Sequence, residues 1–126
     1  MPRIPALVLA AGLALPGCSA PTGLVLDGPL AIRASGGALR LSNESGAPIY
    51  TVVVERESAA LFDWAPCVDP AACDAIPANG ERRVPYGEIA GYEDGEREAI
   101  VYWWHLEARA GGGFQPDEIR TAVVRL

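Results

Sequence analysis

Glu98-Ala99-Ile100-Val101-Tyr102-Trp103-Trp104-His105-Leu106-Glu107-Ala108-Arg109 is the stretch whose reading decides the fold class. Branched and aromatic residues crowd its first half, the residue types that suit a pleated, half-buried surface. Neighbouring strand residues point to opposite faces. Ile100, Tyr102, Trp104, Leu106 and Ala108 therefore share one face, and Val101, Trp103, His105 and Glu107 the other. The first set is apolar throughout and is expected to be the core side.

Outward from this strand the same period recurs between turns. Gly111-Gly112-Gly113 breaks it, and Ile119–Leu126 resumes it with Ala122, Val124 and Leu126 facing in. Upstream, Ile49–Glu57 is apolar on both faces until Glu55, as a central strand is. Leu30–Ala34 and Ala38–Asn43 flank Ser35-Gly36-Gly37, a hairpin signal, and Leu39 and Leu41 alternate with Arg40 and Ser42. Arg82–Tyr86 carries Pro85, which suits an edge strand. Leu61–Trp64 is a shorter strand candidate, Ala71–Ala75 a helical turn, and Gly87–Glu96 a loop in which Ile89 and Tyr92 plug the end of the core. No segment sustains helical spacing. About seven short strands, with turn signals every eight to twelve residues, predict a small antiparallel β-sandwich, immunoglobulin-like in architecture. The Cys…Trp…Cys spacing of that architecture is absent.

The 126-residue chain has a net charge of −6, and all ten of its basic residues are Arg. An acidic balance argues against nucleic-acid binding, which depends on cations neutralising phosphates. The absence of Lys excludes Schiff-base and P-loop lysine chemistry. Half the residues are apolar, enough to fill a core rather than leave a disordered tail.

The N-terminus has a different character. Arg3 precedes an apolar run from Ile4 to Leu15, followed by Pro16-Gly17-Cys18. A charged start, a short apolar core and a small residue before the cut make an export signal, and the run is too short to span a bilayer. Leu15-Pro16-Gly17-Cys18 resembles the lipobox of bacterial lipoproteins, with Leu15, Gly17 and Cys18 matching and Pro16 departing from the usual small or β-branched residue. That resemblance implies cutting before Cys18 and acylation of its thiol. With Ser19 rather than Asp next, it implies sorting to the outer membrane, facing the periplasm. The expected organisation is a signal peptide over 1–17, the lipidated Cys and a tether over 18–29, and one domain over 30–126. Removal of Arg3 with the signal takes the charge from −6 to −7.

In an oxidising compartment Cys67 and Cys73 are expected to form a disulfide worth on the order of 2 kcal/mol for so short a ring. His105 is the only histidine. With Cys67 and Cys73 it makes an alternative soft-metal site for copper or zinc, although five residues between the cysteines is wide for zinc. Glu93-Asp94-Gly95-Glu96-Arg97-Glu98 lacks the calcium-loop pattern and reads as a solvated loop. No Gly-x-Ser-x-Gly elbow is present, and no catalytic residue or cofactor is assigned. The expected role is a non-catalytic binding or structural module of the cell envelope, held to the membrane by lipid. It would meet a protein partner through the Trp103 and His105 face or the Cys67–Cys73 loop. The metal-handling role is the alternative.

Overall fold

The computed structural model describes residues 23–126. The signal-type segment 1–17, Cys18 and the tether as far as residue 22 lie outside the described residues. Ten strands follow one another: β1 (Leu24–Asp27), β2 (Leu30–Ser35), β3 (Ala38–Asn43), β4 (Ile49–Glu55), β5 (Ala75–Ile76), β6 (Glu81–Pro85), β7 (Glu98–Trp104), β8 (Leu106–Ala108), β9 (Phe114–Pro116) and β10 (Arg120–Arg125). They form a four-stranded sheet β1-β2-β3-β6, a second four-stranded sheet β10-β7-β4-β5 and a β8-β9 hairpin. Every strand pairing is antiparallel. No α-helix occurs among the described residues, and none is long and apolar enough to cross a membrane.

Local chemistry accounts for the elements. Gly36 and Gly37 both hold positive φ, 61° and 77°, as a two-residue hairpin of the type I′ class requires, and they set Ser35 opposite Ala38. Leu30, Ile32, Leu39, Leu41 and Val84 from the first sheet meet Ile49, Ile76, Ala99, Val101, Trp103, Ala122 and Val124 from the second in one buried cluster. The two sheets share this core across their inner faces, an arrangement consistent with a sandwich. β4 is internal to its sheet and β6, with Pro85, lies at an edge. Ile89 is buried and Tyr92 packs against the core.

Three features differ from the sequence reading. β1 falls in the stretch read as tether, because Leu24–Asp27 finds a full register on β2. Leu61–Trp64 forms no strand: a 3₁₀ turn over Ala59–Leu61 leads into irregular chain. The long segment Glu98–Arg109 splits at His105, whose N–H donates to Asp117 Oδ1 at 2.9 Å instead of continuing the ladder.

The faces of β7 are also reversed. Ala99, Val101 and Trp103 point inward, and Trp103 is 1 % exposed, so the Trp103 face is core rather than docking surface. Alternation was read correctly, but two apolar faces look alike in sequence. What separates them is the opposite sheet: Trp103 Nε1 reaches across to donate to Asp27 Oδ2 at 2.8 Å, while from β10 of its own sheet the Arg120 guanidinium lies 4.7 Å from its ring centroid. Ile100, Tyr102 and Trp104 take the outer face, beside Tyr50 and Val52 of β4.

Candidate functional site

The chain leaves β4 at Glu55 and returns at Ala75, next to the start of β4. Residues 56–74 are thereby carried back across the outer face of the second sheet. A loop of this length in a small domain is ordered only if its own side chains pack. Trp64 does so, with its ring 4.6 Å from that of Tyr102 and 5.9 Å from that of Trp104. Trp104 Nε1 donates to the Cys67 carbonyl at 3.2 Å, so Trp104, although on the outer face, is 1 % exposed. Cys67 and Cys73 are bridged, their Cα atoms 5.9 Å apart, and a turn in which the Ala72 and Cys73 N–H groups donate to the Asp69 carbonyl closes the ring. At the other end the loop rests on Gly91, where a Cβ would come within 2.8 Å of Phe62 Cε2 and of Ser58 Cβ.

With one side pinned, the loop turns its remaining apolar side chains outward. Leu61 is 85 % exposed, Phe62 41 % and Val68 40 %. Leu61 and Phe62 are neighbours in sequence, and Val68 lies inside the cysteine ring of the same loop. Periodicity could not single out these residues, because they belong to no strand. The signal available in sequence was Trp64 itself, a large aromatic just ahead of the cysteine ring.

His105 sits at the β7–β8 junction with its side chain 20 % exposed. Its Nε2 lies 3.1 Å from Ser45 Oγ and its Nδ1 3.5 Å from Asp117 Oδ2. This order of serine, imidazole and carboxylate is that of a hydrolytic triad, but the surroundings give the serine another task. Ser45 Oγ is also 2.7 Å from Asn43 Oδ1 and 2.9 Å from the Ala47 carbonyl, so two oxygen acceptors of its own turn compete for the one hydroxyl proton. The Asn43 amide is oriented by Nδ2, which faces the carbonyls of Ala47, Ile76 and Pro77 at 2.8–3.1 Å. The cluster ties the β3–β4 turn to the β7–β8 junction. Partial burial pushes the Asp117 carboxyl up, but the Glu118 and His105 N–H groups and the Arg120 guanidinium outweigh it and hold it below the usual carboxylate range.

The metal alternative at Cys67, Cys73 and His105 falls to the disulfide, which leaves no thiolate ligand. Among the described residues, the group of potential ligands that does converge is Glu55, Glu57 and Glu96, with donor atoms within 4.8 Å of one another. It lies in a cleft of about 630 Å³ shared with Arg56, Asp94, Arg97 and Glu98. Glu55 is 1 % exposed, and its carboxylate accepts from the N–H groups of Glu57 and Ser58, both at 2.8 Å. The Glu57 amide foremost holds its carboxyl below the usual range. Burial, then the Glu55 charge, pushes Glu96 up. Glu96 thus keeps its proton to higher pH than Glu55. The proximity of Glu55 to the 93–98 run was not visible in sequence, since it depends on the register of β4 against β7.

Comparison of the chain with family models, with curated proteins and with solved structures gave no match.

Proposed function

We propose that this chain is a lipoprotein of the bacterial cell envelope, acylated at Cys18, held at the outer membrane on its periplasmic side, and acting as a non-catalytic module that binds a protein partner. Its two sheets suit an immunoglobulin-like sandwich in this role. The observation that carries the binding reading is the loop over residues 56–74. It is stapled by Cys67–Cys73 and seated through Trp64, yet it offers Leu61, Phe62 and Val68 to solvent. Holding apolar anchors rigid before contact lowers the entropy lost on binding. The disulfide also supports an oxidising location, and the shared hydroxyl proton at Ser45 favours a clamp over a nucleophile.

The test is a photo-crosslinking side chain placed at Leu61 of the full chain in its native host, with Glu107 on the β8–β9 hairpin as the control position. The expected result is one discrete protein adduct from position 61, abolished by Phe62→Asp with Val68→Asp, and none from position 107. No adduct from position 61, or the same adducts from both positions, would contradict the reading.

A further inference from the structure

The outer face of the first sheet carries a row of like charges. In register across three strands, Arg33 of β2 faces Arg40 of β3, which faces Arg83 of β6. Like charges placed directly opposite one another destabilise a sheet. Arg40 has a partner, Glu81, at 2.6 Å. Among the described residues, neither Arg33 nor Arg83 has a carboxylate within ion-pair distance. The three guanidinium side chains border a depression of about 100 Å³ with Ser35 and Ala38. Three arginines against one glutamate make this face basic on a chain whose net charge is −6, so the arrangement is not a by-product of composition.

The fourth member of the row is Leu24 of β1, opposite Arg33. Two residues on, Leu26 points the same way and is 73 % exposed. β1 is also the first strand after Cys18 in chain order. Four residues lie between Cys18 and Gly23, so five Cα–Cα steps give a reach of at most about 18 Å.

We infer that the outer face of the first sheet lies against the membrane. Arg33, Arg40 and Arg83 take the phosphates of anionic phospholipid headgroups, and Leu26 touches the interface beside them. The inference rests on the acylation of Cys18 proposed above and adds an orientation to it. Guanidinium groups match phosphate oxygens in charge and fork geometry, and each arginine at an anionic leaflet strengthens association about fivefold. The second sheet, with its loop, is then turned away from the bilayer toward soluble partners.

Because every basic residue is Arg, footprinting with phenylglyoxal reads the orientation. The protein is purified from its host with its acyl chains and reconstituted into vesicles of phosphatidylcholine alone, or of phosphatidylcholine and phosphatidylglycerol in equal parts. In the anionic vesicles labelling of Arg33 and Arg83 is expected to fall severalfold, with recovery at high salt. Arg109, exposed on the β8–β9 hairpin, is labelled alike in both. In the double variant Arg33→Gln, Arg83→Gln the lipid dependence of Arg40 labelling is expected to disappear. Equal labelling of Arg33 and Arg83 in the two vesicles, or equal protection of Arg109, would overturn the orientation while leaving the anchor standing. A purified N-terminal peptide without acyl chains would overturn the anchor, and the orientation with it.

Discussion

Asn43 occupies a single buried position and joins three segments of chain. Its side chain is 1 % exposed, donates toward carbonyls of the β3–β4 turn and the end of β5, and accepts from Ser45. Asn43→Ala leaves the buried Ile76 carbonyl without its donor, and an unsatisfied buried group costs about 1–3 kcal/mol. The expected loss is about 3 kcal/mol, read from urea unfolding of the folded domain. In sequence the residue announced only a turn, since nothing in Asn43-Glu44-Ser45-Gly46 reveals that β5 will pass beside it. Trp103 gives the opposite lesson. Read in sequence as part of a docking face, it is instead buried in the core, and Trp103→Ala is expected to cost about 3–5 kcal/mol as a core deletion rather than to remove a contact surface. The Ser45–His105–Asp117 cluster gives a sharper test. If it is a clamp, an excess of a fluorophosphonate leaves Ser45 unmodified in the folded protein, whereas stoichiometric labelling abolished by His105→Ala would mean an active nucleophile.

Among the elements, the loop over residues 56–74 was the least legible. Its cysteines announced the staple, and the prolines and small residues announced irregular chain. Its path over Tyr102 and Trp104 depends on tertiary stacking that no local pattern encodes. Gly91→Ala is expected to unseat its first half. φ there is +78°, and the added Cβ meets Phe62 and Ser58, so protease cleavage near Leu61 should rise severalfold while the thermal midpoint of the sheets changes little. Cys67→Ser with Cys73→Ser removes a short ring and is expected to cost about 2 kcal/mol, measured by denaturant unfolding. The strands themselves were readable wherever one face was polar, as in β3 with Leu39 and Leu41 set against Arg40 and Ser42. They were ambiguous where both faces were apolar, as in β7. Glu55 and Glu96 link two elements electrostatically. A carboxyl raised on folding contributes stability that is present below its unfolded pKa and lost as pH rises through its folded value. Glu96 behaves this way, so Glu96→Gln is expected to raise the thermal midpoint at neutral pH and to leave it nearly unchanged in mild acid. A fall at neutral pH would contradict the raised Glu96 carboxyl.

At the scale of the molecule, the two four-stranded sheets present two outer faces with different chemistry. One carries the arginine row beside the strand that leads to Cys18. The other carries the stapled loop with its exposed apolar residues. The all-β class was legible from period and turns, because those depend on local chemistry alone. The difference between the faces was not, because it depends on which sheet each strand joins: β1, β2, β3 and β6 on one side, β4, β5, β7 and β10 on the other. Both faces acquire meaning only if the N-terminus is tethered in an oxidising compartment. Mass spectrometry of the protein isolated from its native host tests that premise most directly. The expected result is a chain that begins at Cys18, bears acyl chains on that residue, and holds Cys67 joined to Cys73. A chain that begins at Met1 with Cys18 unmodified and Cys67 and Cys73 reduced would contradict it.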